Sequence, residues 1–484
     1  MTSAPDGVNG VVMKSPIGEL SLRVSGMLLM LAGLALVPAA SATAAVSPTD
    51  WPGYLDGASH SSFNAADAAV TPANAGALVK KWHWRGDAAT MSGQLGPSLF
   101  SSPTVAAGAV FIGANNGYFY KLDETTGAVL AKVFIGYQPK LTCSARGFVS
   151  TATVAADPAT GQDTVYVAAP DGYLYALNAS DLSLVWRSVI DIPSTTVSDY
   201  FDWSSPTVAN GKIYVGSASH CDKPLTQGAL VGFDQATGAE FARFFTVPSG
   251  VLGGGIWSSA AVDSDGYVYV TTGTQPKNTS QRYYSVSMVK LDGSTLQPVA
   301  WFTVPNSQLG GDGDFGGSPT IFGPDVGACN KNGIYYALNR ATMTVDWETR
   351  MGAKSSSASP AQCSAAAIYD GTYLYMGGDP TIIGGVAYRG SILRMDPSTG
   401  AILWQTGLPN SVIGSPTMNG GGVIGVGTYD FTAVPNAEYL VDSSTGQIVR
   451  TLATGGRDFA QNVFADGYVF TANVGQGLNA YHLP

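Results

Sequence analysis

"DGYLYALNASDLSLVW", residues 171–186, reads as a strand, a polar turn and a second strand that ends in tryptophan. "YLYAL" alternates at period two, "NAS" supplies Asx-turn chemistry, and "LVW" leaves on the outgoing strand. The phrase returns as "NGIYYALNRATMTVDW" (332–347) and "RGSILRMDPSTGAILW" (389–404), and without its tryptophan as "NGYFYKLDETTGAVLA" (116–131). Ahead of these phrases run a small-residue strand and a β-branched one, as in "SSPTVAAGAVFIG" (101–113), "SSPTVANGKIYVG" (204–216) and "GSPTIFG" (317–323). Four strands in each unit of roughly 40–55 residues are the signature of a propeller blade.

Small-residue openers occur eight times, near Ser102, Phe148, Trp203, Trp257, Gly316, Ser364, Gly414 and Ala460. They are small because innermost strands crowd around a central channel. The last unit stops at "LNAYHLP" (478–484), one strand short, and "LVKKWHW" (78–84) has the alternation to supply that strand. Closure by both termini removes a free sheet edge. The expected fold is all-β: one eight-bladed propeller over residues 45–484, each blade of four strands.

Charged residues make up 12% of the 484, about half the usual share, and there are 60 glycines. The net charge of −10 and the lack of any Lys/Arg run exclude a nucleic-acid partner. Lys14 and Arg23 precede an apolar run, Met27–Val37, and Ala42-x-Ala44 follows as a small-residue cleavage site. Residues 1–44 are therefore expected to be a secretory signal peptide, its apolar run too short for a membrane span. The mature chain is expected outside the cytoplasm, with no span once the leader is removed. Four cysteines suit an oxidising compartment, and none lies in a C-x-x-C pair that would make a zinc ribbon or attach haem.

Loops entering the inner strands, and loops joining second to third strands, emerge on one face of a propeller. Trp257 in "GGGIW", Arg146 in "CSARG" and Asp314 in "GDGDFGGSP" sit at inner-strand entrances, and Lys331 in "CNKNG" lies in a second-to-third-strand loop. One base, two cations and a large aromatic on one mouth suit a flat, anionic ligand. Blander roles exist for each: Asp314 as a turn former, Lys331 as a solvated cation, Trp257 as a channel plug, Arg146 as a tie to Asp202. Cys143 and Cys221 fall on that face in blades 2 and 3, and Cys329 and Cys363 in blades 5 and 6. The blade map therefore predicts disulfides Cys143–Cys221 and Cys329–Cys363.

The repeated A-x-D/N-x-x-T-G-x-x-x-W phrase resembles the blade motif of pyrroloquinoline quinone (PQQ) dehydrogenases, in which the tryptophan docks between blades. Trp186, Trp347 and Trp404 take that place, while Ala131, Ala242 and Arg450 depart from it. "CNKNGIYYALNR" is similar to the segment whose Lys contacts the quinone oxygen, which implies that role for Lys331. "GDFGGSP" resembles the segment carrying the catalytic base, which implies Asp314, although Gly313 stands where the family has tryptophan. "GGGIW" implies Trp257 as the residue stacked under the PQQ plane. "CSARG" implies Arg146 as a ligand of the PQQ carboxylates, with Cys143 in place of the family's vicinal cysteine pair.

Two departures concern the metal. The family's Ca²⁺ ligands are a Glu in blade 3 and an Asn after Thr-Gly in blade 4, beside the catalytic Asp. Here Asp222 or Lys223 and Thr274 occupy those places, so the implied set is Asp314, Asp222 and Thr274, with Gln275 near. The resemblance implies oxidation of an alcohol, small or polymeric, since blades 4 and 5 are worded most like polyvinyl-alcohol dehydrogenases. Electrons would pass to a separate acceptor. The competing expectation is a PQQ-repeat propeller without cofactor that presents its loops to a protein or polymer.

Overall fold

The computed structural model describes residues 46–87, 98–138, 145–353 and 363–484. The leader expected over 1–44, and Cys143, lie outside the described residues. The inner strands are Thr104–Ala106, Thr153–Ala156, Thr207–Ala209, Ala261–Val262, Thr320–Phe322, Ile368–Tyr369, Thr417–Asn419 and Val463–Ala465. Each begins an antiparallel four-stranded blade, so the eight-bladed all-β ring expected from the repeat is the observed fold. Blade 8 takes its outer strand from Val79–Trp84, which pairs antiparallel with Gly477–His482 (Val79 opposite His482, Trp84 opposite Leu478). Blade 6 adds a short hairpin, Thr381–Ile383 with Val386–Tyr388, on the loop between its second and third strands.

Blade faces are sealed by the motif itself. Trp186, Trp347 and Trp404 each lie against the glycine of the next blade's T-G turn: Gly238, Gly400 and Gly446. Trp82, on the strand donated by the N-terminal region, does the same at Gly127. These glycines have φ of +70° to +76°, and any Cβ on them would collide with an indole, so both conformation and contact demand glycine. The indole N–H groups of Trp82, Trp347 and Trp404 donate to backbone oxygens of Glu124, Pro397 and Ser443 at 2.8, 2.9 and 3.1 Å. Where an Asp leads the turn it accepts Thr or Ser groups, as Asp123 does from Thr125 and Thr126, and those bonds hold its carboxyl below the usual range.

The small-residue openers do more than save space. In a belt round the channel, at six of the eight seams, an opener hydroxyl accepts a backbone N–H from the neighbouring blade. Ser102 N donates to Thr151 Oγ1 (3.0 Å), Thr151 N to Ser205 Oγ (3.0 Å), Ser205 N to Ser259 Oγ (2.9 Å) and Ser259 N to Ser318 Oγ (2.9 Å). Gln461 N returns to Ser102 Oγ at 2.9 Å, across the closing seam. The threonines that follow form a second ring of bonds, including Thr207 Oγ1 to Ala260 O and Thr320 Oγ1 to Ala367 O.

A segment the repeat does not predict fills the channel below that belt. Residues 51–62 bond to one inner strand after another: Trp51 N to Val105 O (2.9 Å), Val154 N to Pro52 O (2.7 Å) and Val262 N to Ala58 O (2.8 Å). Ile321 N to Ser59 O (3.1 Å), Tyr369 N to Ser61 O (2.8 Å) and Met418 N to Ser62 O (3.0 Å) continue the circuit. Phe63–Asn64 then runs parallel to blade 7's inner strand, Phe63 opposite Met418. The plug is this segment, not Trp257. It puts Tyr54 at the base of the funnel and exposes inner-strand entrances above it.

Candidate active site

Above the plug lies a cavity of 370 Å³, in the range of small-molecule sites. Trp257, Asp222, Thr274, Asp314 and Lys331 all line it, although they come from blades 3, 4 and 5 and their connecting loops. Blade 3's second strand, Lys212–Ser219, ends in a turn where Cys221 (φ +58°) and Asp222 (φ +57°) both adopt left-handed backbone. Two such residues in succession store strain that the surrounding structure must hold. Cys221 is disulfide-bonded, which supplies one such restraint. The turn delivers Asp222 to the cavity, where its carboxylate accepts Ser219 Oγ–H and, at 2.6 Å, Thr274 Oγ1–H.

Thr274 Oγ1 also stands 3.4 Å from Asp314 Oδ2, so the hydroxyl bridges two carboxylates. Asp314 is fixed through its backbone, because its carbonyl accepts Lys331 N–H at 2.9 Å and Asn330 Nδ2 donates to Gly313 O at 2.8 Å. Lys331 Nζ lies 3.0 Å from Asp312 Oδ2, 3.6 Å from Asp314 Oδ2 and 5.1 Å from the Trp257 ring centre. Burial pushes the Asp314 carboxyl up to about 6; Lys331 works against this, while Asp312 and Asp222 add to it. Burial alone would lower Lys331, but Asp314, Asp312 and Asp222 outweigh it and raise its pKa. The cation is therefore held charged beside a carboxyl poised near neutrality.

Arg146 is not among the lining residues. Its guanidinium lies 4.8 Å over the Tyr137 ring and donates from Nε to Gln138 O. It does not tie to Asp202 either, whose Oδ2 accepts Val149 N–H and whose Oδ1 is unpaired. Cys329 and Cys363 form the expected disulfide, Cα atoms 5.5 Å apart, joining blades 5 and 6. Of the other pair, Cys143 lies outside the described residues. The sequence reading missed Asp312, two residues before Asp314 in "GDGD", and the aromatic wall of Phe100, Trp203 and Phe459. Asp312 had a signal in its spacing; the wall residues sit at opener positions and were read only as crowding.

Two features test the site against a flat quinone and a hard cation. Trp257 presents its indole at the cavity with a buried Nε1–H that has no partner, and Ser364 Oγ on the wall is likewise unpaired. The Asp222, Thr274, Asp314 and Ser219 donors are all oxygen, which suits Ca²⁺. Among the described residues no group of three or more His, Cys, Asp or Glu forms a metal cluster, so the carboxylate share is two. The residues fit, with a thinner metal set than the resemblance implies.

Four-stranded blades docked tryptophan to glycine, with a polar mouth above a plugged channel, make this an eight-bladed propeller with one candidate site at its mouth. The chain belongs to the PQQ β-propeller family: residues 51–302 match its model, described as the glucose/ethanol/alcohol dehydrogenase β-propeller domain. The dehydrogenase subunit of alcohol dehydrogenase (quinone) from Gluconobacter oxydans is 30% identical over 206 residues, 42% of this chain and 25% of that protein. Quinohemoprotein alcohol dehydrogenase ADH-IIG of Pseudomonas putida is 26% identical over 179 residues, 37% of this chain and 23% of its own length. The chain thus spans about a quarter of the curated relatives it matches. Quinohemoprotein alcohol dehydrogenase from Comamonas testosteroni shares the fold, with a TM-score of 0.68 over 91% of this chain and 81% of that one at 17% identity. Among the described residues no helix is long and apolar enough to cross a membrane.

Proposed function

We propose that this chain is an exported, PQQ-dependent alcohol dehydrogenase whose reaction runs in the cavity over Trp257. The observation that carries the reading is the meeting of Asp314, Lys331 and Trp257, from three separate loops, on one cavity wall. When bound, PQQ supplies a two-electron acceptor and Ca²⁺ a Lewis acid beside it. Asp222, Thr274 and Asp314 would hold the cation, and the indole of Trp257 would support the ring. Asp314, ionised above about pH 6, takes the proton of the substrate hydroxyl at its carboxylate. Lys331 keeps its ammonium within reach of developing negative charge, and its own carboxylate neighbours prevent its deprotonation. The aromatic wall of Phe100, Trp203 and Phe459 excludes water from one side and favours the carbon skeleton of an alcohol, small or polymeric. Arg146 stands outside this set.

Electrons would leave to a separate acceptor outside the cytoplasm, since the blades themselves carry no C-x-x-C-H haem attachment. The test is a titration of the mature protein with PQQ and Ca²⁺, read by quinone absorbance and dye reduction with alcohols. Asp314→Asn should lower turnover by about 10²-fold or more with PQQ binding retained. Equal turnover in variant and wild type removes Asp314 from the role. Failure to bind PQQ at millimolar Ca²⁺ would replace the enzyme with a cofactor-free binding propeller.

A further inference from the structure

The seams between blades are apolar where a second-strand glycine meets the next blade. Gly113 faces Phe148, Gly216 faces Ile256 and Gly377 faces Val412. The seam between blades 7 and 8 is different. There the space a Cβ on Gly427 would fill is taken by Asp458 Oδ2 and Glu438 Oε2, so two carboxyl groups meet at one point. Glu438 opens blade 7's third strand and is wholly buried; Asp458, in the loop leading to blade 8, is 1% exposed. No Lys or Arg among the described ion pairs reaches either acid, and the adjacent Arg457 lies instead over the Phe431 ring at 4.2 Å.

Two amide side chains complete the pocket. Asn462, just before blade 8's inner strand, and Asn473, at the end of its second strand, both adjoin Glu438. They are 2% and 0% exposed, and both lie close enough to Glu438 to lower its carboxyl's pKa by hydrogen bonding, yet neither makes a well-formed bond at Oδ1 or Nδ2. Asp458 Oδ1 and Oδ2 and Glu438 Oε2 are unpartnered as well. Buried polar groups are almost always satisfied, and seven orphaned atoms at one seam point to a missing group. Burial first, and for Asp458 the neighbouring Glu438 as well, push both carboxyls up, so the pair must hold either a shared proton or a cation. Carboxylates and amide oxygens together offer up to six oxygens and no nitrogen or sulfur ligand, which is the donor set of a hard, high-coordination cation.

We propose that Glu438, Asp458, Asn462 and Asn473 form a structural Ca²⁺ site that staples blade 7 to blade 8. It is distinct from the Asp222–Thr274–Asp314 group, and it anchors the loop that carries Phe459 to the cavity wall. It also sits one blade seam from the place where the two chain ends close the ring.

The experiment uses the mature protein without PQQ, stripped with EDTA and reloaded with Ca²⁺. Metal content after desalting and the melting temperature are measured together. The wild type should retain about one Ca²⁺ per chain and melt about 3–5 °C higher at saturating Ca²⁺ than in EDTA. Asp222→Asn/Asp314→Asn should keep that shift, and Glu438→Gln/Asp458→Asn should abolish it. Should the latter pair fail to fold, Asn473→Ala should weaken Ca²⁺ retention at least tenfold. A shift that survives Glu438→Gln/Asp458→Asn, or that vanishes in Asp222→Asn/Asp314→Asn, overturns the assignment. So does a wild type indifferent to Ca²⁺ whose melting temperature falls as pH rises, since a shared proton would then satisfy the pair.

Discussion

Gly400→Ala probes the contact that the repeated phrase encodes. At φ +70°, alanine loses about 1–2 kcal/mol to left-handed backbone. Its Cβ would sit inside the Trp347 ring and against Thr349 Oγ1, an overpacking that costs about 1–3 kcal/mol. Displacing the indole also endangers its 2.9 Å bond to Pro397 O, worth about 0.5–1.5 kcal/mol. The expected total is about 3–5 kcal/mol. Gly161 supplies the control: it closes a like-worded "DPATG" turn between the first and second strands of blade 2 at the same φ of +70°, with nothing within 4 Å of its Cβ direction. Gly161→Ala carries the backbone cost and the same loss of unfolded-state freedom, and should cost about 1 kcal/mol. Urea unfolding followed by fluorescence and circular dichroism reads both, and the difference isolates tryptophan docking. Trp347→Ala should largely remove the penalty of Gly400→Ala in the double variant. Equal destabilisation of Gly400→Ala and Gly161→Ala would refute the idea that the motif pairs Trp with Gly across blades.

His60 in the plug is buried, with Nδ1–H donating to Pro319 O, and burial pushes its pKa down from 6.5 to about 4. The unfolded chain then takes the proton more readily, so stability is complete above about pH 6.5 and falls as pH drops toward 4, by up to about 3 kcal/mol. His60→Asn, which tolerates the local φ of +59°, should flatten that acid limb in urea midpoints measured from pH 7 to 4, and an unchanged limb would count against it. Reduction of Cys329–Cys363, a separation of 34 residues, should cost about 4 kcal/mol by loop-closure entropy, and a melting temperature unmoved by reductant would deny the bridge a stabilising role. Asp222→Asn should raise the Ca²⁺ concentration needed for dye reduction at least tenfold, and unchanged Ca²⁺ dependence would place the catalytic metal elsewhere.

The ring, its eight openers and the crossover of "LVKKWHW" into blade 8 were legible because a blade repeats, and repetition multiplies a weak local signal. The Trp–Gly pairing was half legible: the tryptophans showed, but their glycine partners lie 42–53 residues on in the next blade, where spacing alone links nothing. The Ser and Thr of "SSPT" were read as small, although their hydroxyls each close a bond to a neighbour. Asp314, Lys331 and Trp257 could be placed at one mouth because each falls at a loop position common to every blade. Arg146 met the same criterion and still points elsewhere, since a loop's place in the ring does not fix its side-chain direction. The plug had no repeat to announce it, and Asp458 and Glu438 lie in blades whose surrounding wording is ordinary.

Residues 51–62 touch inner strands across the whole ring, yet they are synthesised before any of those strands exist. Their bonds to blades 5, 6 and 7 must wait for more than 250 later residues, and Gln461, which holds Leu55 N–H, arrives only with blade 8. The circuit of the plug therefore stays open until blade 8 has been made, so the centre of the ring is among the last parts to close. It also makes the two ends a poor place to divide the protein: a cut in an exposed turn between blades would leave the plug and the closing strand together, whereas trimming from residue 46 inward would empty the channel's centre.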